Sequence, residues 1–441
     1  MSGRAPGRVA ADLSLTARFG RGAVCCGTRM AERLNLSRSR LAFALGIICF
    51  ANFLNYLDRQ VVSALESEIR PAFDMTKAEF GTLWSAFTIG YMVFAPLVGF
   101  ATVRFRRKVI FATCVLIWSL ATIGSGLATT KLALYASRFL IGVGEAGCLV
   151  IGPTLVVDLF SEQVRGRALS LFFLGLPLGG TAGYIIGGVI TEHFGGWRNA
   201  FYLAGAPGLL VALLLLLLPE PPRAQAPVGS PGGFAGYRAL FKNRTLMLII
   251  LAQAFSVMIL VPLLHFGISF FEQERGMTKV QATTSLGIMA LVAGVLGSVL
   301  AGVIGDRLAR RTRGAYALLA GCAYALALPA MLVGFSMESH VAILGALTIG
   351  ATCLFMCMPA VNTQIANVVR PEHRAMAYAL AVFILHFLGD MAAPPAFGAI
   401  AESIGTGEAF VRFAGVLALA AGCCFLAVRT AKHDVAAAER G

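Results

Sequence analysis

The chain has 441 residues, of which 58% are hydrophobic and only 13% charged, with a mean hydropathy of +0.78. A soluble domain carries about a quarter charged residues, so this composition excludes an ordinary soluble protein and points to a polytopic helical membrane protein. A net charge of +14 would suit nucleic acid as a partner, but its placement along the chain excludes that reading.

Residues 1–40 hold eight arginines, two acids and no long apolar run. A secretory signal needs an apolar core of about 7–15 residues, which is missing, so this stretch is expected to be a disordered basic tail. Met30 is an alternative start. Beyond it come apolar runs of the length that crosses a bilayer. Twelve spans are expected, near 41–63, 78–102, 109–128, 132–157, 168–191, 199–218, 243–271, 282–304, 314–336, 341–366, 375–401 and 409–428. With both termini on one side, that side receives 27 of the 36 Lys and Arg, and the opposite loops receive seven. The basic excess is therefore a topology signal that places both termini in the cytoplasm.

The first span carries Asn52, Asn55, Asp58 and Arg59 near its expected end. Asn52, Asn55 and Arg59 fall at i, i+3 and i+7, on one helical face. Ionisable residues inside a span mark functional sites by default, so this face is expected to line a substrate pathway. The alternative is a helix end whose charges snorkel to the headgroups. After it, Glu66, Glu68, Arg70 and Asp74 read as a polar loop, and Thr76 with Glu79 as a capping box opening the second helix. That helix carries Trp84, Phe87, Tyr91 and Phe94 at helical spacing, a stripe read as packing.

The fourth span contains Arg138 and Glu145, seven residues and about two turns apart on one face. Small residues at 142, 144, 146 and 147 let a neighbouring helix approach closely. Arg138 and the Asp58–Arg59 pair lie at matching depths, which snorkelling explains poorly. An acid that exchanges an Arg partner for a proton is a natural proton carrier, and a guanidinium fork suits a carboxylate or phosphate. Asp58 and Glu145 are thus expected to bind a coupling proton, and Arg59 and Arg138, with Asn55, to bind an anionic substrate. The alternative is a pair of permanent structural links, Asp58–Arg138 and Glu145–Arg59.

The two halves echo one another. Gly99, Arg104, Arg107 and Lys108 each match a residue 203 positions later, giving Gly302, Arg307, Arg310 and Arg311. Arg167-Ala168 and Arg374-Ala375 occupy equivalent places further on. Such parallel repeats characterise transporters built from two six-helix halves. The stretch from Pro219 to Gly233 is rich in Pro, Gly and Ala and reads as a flexible linker. The expected organisation is a tail at 1–40, a bundle at 41–218, a linker at 219–242, a second bundle at 243–430 and a short tail at 431–441.

The loop pattern G-x-x-x-D-R-x-x-R-[RK], complete in the second copy and lacking only its Asp in the first, resembles the hallmark of the major facilitator superfamily. The resemblance implies an all-α membrane fold of twelve helices in two parallel halves, and a transporter rather than an enzyme. It makes Gly99, Arg104, Arg107, Lys108, Gly302, Asp306, Arg307 and Arg310 gating-loop residues. The family's motif Asp holds the inner side closed; the second copy has it as Asp306, whereas the first has Val103, which favours an inward-facing state.

A narrower resemblance rests on Asn55-Tyr-Leu-Asp58-Arg59 with Arg138-x6-Glu145-Ala146, the run from Pro153 to Ser170, and Pro177 to Tyr184. It continues through His386-Phe-Leu-Gly389-Asp390, Pro394 and Gly398. These stretches are similar to the spinster family, whose members move lysophospholipids and sphingosine 1-phosphate. The resemblance implies a proton-coupled carrier of an amphipathic anion, with Asp58 and Glu145 as protonation sites and Arg59 and Arg138 as their partners. Sugar-acid symporters of a sister branch use a similar quartet, so a small-organic-anion symporter, or an uncoupled facilitator, stands as the alternative.

His386 and Asp390, at i and i+4, form a secondary polar site: a helix-orienting hydrogen bond or a second proton site. His265 is expected to contact its surroundings. Ten cysteines, mostly mid-span, read as small apolar packers, and no metal or cofactor is expected. There is no Walker motif, so ATP-driven pumping is unsupported. The expected partners are substrate, protons and membrane lipids, and the expected setting is a monomer in a bacterial inner membrane.

Overall fold

The structure, a computed structural model, describes residues 37–160, 162–220, 238, 240–370 and 373–439. The basic tail with Cys25, Cys26 and Met30, and the Pro/Gly-rich linker at 221–237, lie outside the described residues. Twelve helices among the described residues are long and apolar enough to cross a membrane. The first six are Ser39–Ala72, Lys77–Thr102, Arg107–Leu127, Lys131–Leu159, Arg167–Thr191 and Trp197–Leu216. The second six are Arg244–Glu274, Lys279–Ala309, Ala315–Ser336, His340–Val368, Met376–Ile404 and Thr406–Ala431.

The first span departs from its expected boundary. Its helix Arg38–Val61 passes through a 3-10 turn, Ser63–Leu65, and resumes as Glu66–Ala72. Glu66, Glu68 and Arg70 are therefore helical rather than loop. The charges that seemed to end the span are met by the second half: Glu68 pairs with Lys279, and Arg70 donates to Glu402 at 3.2 Å. Asp58 and Arg59 consequently sit in the interior of a long span, where snorkelling is out of reach. The turn follows at Asp74, whose φ of 49° is a left-handed conformation that short polar side chains tolerate.

Helix starts follow local chemistry. The Thr76 hydroxyl accepts from the Glu79 amide at 3.1 Å, and the Glu79 carboxylate accepts from the Thr76 amide at 2.9 Å, a complete capping box. Thr278 and Gln281 build the same box at the start of the eighth span, a further echo of the repeat. Close helix contacts rest on glycine. A Cβ on Gly142 would fall 2.0 Å from the Phe87 carbonyl oxygen, and one on Gly144 would fall 2.6 Å from that of Cys114. The fourth span thus wedges between the second and third.

With an even number of spans, both ends of the described chain lie on one face, called here the terminal face. At the opposite face the halves are tied together. Besides the two ion pairs above, Ser67 donates to Glu272 at 3.1 Å, and Lys77 gives its amide to Glu402 at 2.8 Å and its ammonium to Thr406 at 2.6 Å. Further in, hydroxyls bond helix carbonyls of the other half: Tyr184 to Leu264 at 2.7 Å, Thr181 to Gly287 at 3.0 Å and Ser85 to Met391 at 2.6 Å. Gly398 permits direct backbone contact, since a Cβ there would stand 2.3 Å from the Lys77 carbonyl oxygen. Near the terminal face, Arg107–Asp158, Lys108–Leu216 and Thr245–Asp434 each join helices of one half.

Candidate functional site

A cavity of about 590 Å³ lies between the halves, on the terminal-face side of these ties. It runs from the Trp84–His265 pair to Ser170 and Val299, and its walls come from both halves. Most of the lining is apolar: Leu174, Leu176, Leu260, Val295 and Phe355 are typical. Two charged side chains reach it, Arg59 from the first half and Asp390 from the second.

Arg59 is positioned by charge and by rings. Its Nε donates to Glu145 Oε2 at 2.6 Å, and Glu145 is fully buried. Its guanidinium lies 5.1 Å from the Tyr56 ring centroid, 5.0 Å from Phe87 and 5.3 Å from Tyr91. These aromatic faces favour the cation while excluding water. One edge of the guanidinium is therefore spent on Glu145, and Nη2 has no hydrogen-bond partner within the chain.

Behind Arg59 lies a buried polar layer. Asp58 accepts from Thr122 at 3.2 Å, and its second oxygen is unbonded. Arg138 is fully buried, with none of its three guanidinium nitrogens hydrogen-bonded, and packs over Trp84 at 5.5 Å and Phe87 at 5.9 Å. Asn55 is likewise enclosed with both amide atoms unbonded.

These positions revise three expectations. Of the two structural links considered, Glu145–Arg59 forms, whereas Asp58 takes Thr122 in place of Arg138. Of the expected face of Asn52, Asn55 and Arg59, only Arg59 lines the cavity: Asn52 donates to the Phe172 carbonyl at 2.7 Å and accepts from Cys148 at 3.4 Å, tying three helices together. The cavity-facing side of the first span is Tyr56, Arg59 and Gln60. The aromatic stripe of the second span is not only packing, because Trp84 and Phe87 line the cavity and carry both arginines.

The remaining candidates fall as follows. His386 Nδ1 bonds Asp390 within a π-helical segment, His386–Ala392, and its ring lies 5.7 Å from that of Tyr91. Arg107 is buried at the terminal face, donating to Asp158 at 2.6 Å, and Lys108 binds the Leu216 and Leu218 carbonyls. Gly99 sits one turn before Arg104, which is exposed over Phe100. In the second copy Gly302, Arg307 and Arg310 are exposed, and Asp306 accepts from Tyr316 of its own half at 2.8 Å.

Sequence reasoning missed a join between the halves. His265 stacks on Trp84, with ring centroids 3.5 Å apart, and its Nδ1 bonds the Ser63 hydroxyl at 3.0 Å. Helical spacing assigns Trp84 a face but says nothing of a partner in the other half.

Two six-helix halves around a central charged cavity define a membrane transporter of the major facilitator type, and the Major Facilitator Superfamily profile matches residues 48–394. Within it the chain belongs to the spinster family. It is 30% identical over 393 residues to protein spinster homolog 1 of Bos taurus, covering 84% of this chain and 74% of that one. It is 29% identical over 403 residues to protein spinster homolog 3 of Danio rerio, covering 85% and 79%. In fold it resembles a bacterial homolog of the human lysosomal transporter Spinster, in an inward-facing and unoccupied conformation (TM-score 0.82, 23% identity, 90% of this chain and 99% of that one). A D-xylose–proton symporter shares the fold at a TM-score of 0.71 and 15% identity, over 88% of this chain and 98% of that one.

Proposed function

We propose that this integral membrane transporter carries an amphipathic anion, of the lysophospholipid or sphingosine 1-phosphate type, coupled to protons by alternating access. The observation that carries the reading is Arg59: a half-engaged guanidinium presented to a cavity whose walls are otherwise largely apolar. An anionic head would dock where the Arg59 guanidinium reaches the cavity, and a tail would lie along the apolar walls. Arrival of that anion competes with Glu145 for the guanidinium, and a carboxylate that loses its cation takes up a proton more readily. Proton and substrate binding are thereby linked through one side chain. Asp58 and Arg138 lie within the same electrostatic network and serve as its second acid and second cation.

The basic loops support a cytoplasmic terminal face; on that reading a chain closed at the other face is open inward. Purified protein in pyranine-loaded liposomes tests the reading. Lysolipids are expected to drive proton flux and sugar acids to leave it unchanged; flux driven by sugar acids alone, or uptake without a pH change, would overturn it.

A further inference from the structure

We propose that Glu66 is a separate proton-binding site in the seam between the halves, loaded when the face opposite the termini closes and emptied when it opens. The inference rests on the halves parting at this face. Glu66 stands where the first span restarts after its 3-10 turn, is 1% exposed, and neither carboxylate oxygen has a hydrogen-bond partner. Burying a carboxylate without hydrogen bonds carries a desolvation cost, and the one ion-pair contact here, to Arg70 Nη1, is long at 3.7 Å.

The groups around it explain why closure matters. On its own helix, Arg70 Nη1 is 3.7 Å away, beyond hydrogen-bond reach, because the guanidinium is turned to Glu402 and to the Met75 carbonyl. From the second span, Lys77 faces it but gives its ammonium to Thr406. From the seventh span come Glu272, which is like-charged, and Ser269, whose hydroxyl lies beside Glu66 but donates to the Phe266 carbonyl at 3.1 Å. His265 is the next titratable group along that span and is held by Ser63.

The two nearest cations thus give hydrogen bonds to Glu402 and Thr406 of the second half, and Arg70 keeps only a long ion-pair contact with Glu66. When the halves separate, Glu402 and Thr406 leave, Arg70 and Lys77 are released to Glu66, and water enters. Separation therefore favours the carboxylate, with its proton delivered to water at that face, and closure returns a proton from the same side. By linkage, protons stabilise the closed face.

The test uses the full chain in lipid nanodiscs, with nitroxide-bearing unnatural amino acids at exposed Thr129 and Glu338, one on each half at this face. Pulsed electron resonance reads their separation as pH is raised. Wild type is expected to part more as pH rises, whereas Glu66→Gln stays closed throughout and loses the pH dependence. Infrared difference spectra should show a carboxylic-acid stretch in closed wild type, of which Glu66→Gln loses one component. If Glu66→Gln parts with the wild-type pH midpoint, or loses none of the wild-type acid-band intensity, the site is overturned while the transport reading stands. If wild-type labels never part, with or without lysolipid, alternating access fails first and this site with it.

Discussion

Arg59 Nε and Glu145 Oε2 meet at 2.6 Å across the first and fourth spans, one partner at the cavity wall and the other fully buried. This unequal exposure gives the pair a direction. Anything entering the cavity reaches the cation first and the acid only through it. Removing one member of a buried pair leaves an unpaired charge, at a cost of about 3–5 kcal/mol. Arg59→Ala should therefore lower the melting temperature clearly, and Arg59→Ala with Glu145→Gln should recover much of the loss. Thermal unfolding of the four proteins of this cycle measures it.

Glu145→Gln alone should separate binding from coupling. The amide keeps the side chain's shape and can still accept from Arg59, so lysolipid binding should persist while substrate-driven proton flux falls to background. A ligand-binding titration beside the liposome assay provides both readings, and unaltered flux would remove Glu145 from the proton pathway.

The ties at the closed face should behave as a charge pair. Reversal of one partner, Glu68→Lys or Lys279→Glu, places like charges together and should open this face; the double reversal should close it again. Gly398→Val should also hold the face open, because a Cβ there meets the Lys77 backbone at 2.3 Å. Labelling of an engineered cysteine in the cavity wall by a membrane-impermeant reagent reports each case.

Overpacking predicts a different failure at Gly142. Its missing Cβ faces the Phe87 carbonyl at 2.0 Å, in contact with backbone rather than a pliable side chain. Gly142→Ala should cost about 1–3 kcal/mol and displace Phe87 from Arg59, so both stability and transport should fall.

A pH effect outside the membrane is expected at Asp434. Burial pushes its carboxyl upward, but bonds from the Thr245 hydroxyl and amide, with His433 nearby, outweigh this and hold it below the ordinary value of 3.8. A depressed acid stabilises the fold above its unfolded value and loses that contribution as pH falls through the folded one. Asp434→Asn should therefore be less stable than wild type at neutral pH and nearly equal to it in strong acid, as followed by unfolding across pH.

The sequence by itself determined the twelve spans, the Thr76 cap, the duplicated basic loops and the two-turn spacing of Arg138 and Glu145. Each follows from local rules: apolar run length, capping chemistry, or a rise per residue that does not depend on neighbours. Only the tertiary structure decided what those residues meet. Asn52, Asn55 and Arg59 share a face by spacing, yet Asn52 is consumed by the Phe172 carbonyl and Arg59 alone reaches the cavity. The first span ran on to Ala72 because its charges found partners in the other half, a contact some two hundred residues away in sequence. Periodicity sets the direction in which a side chain leaves its helix; which partner lies there depends on how the two halves pack.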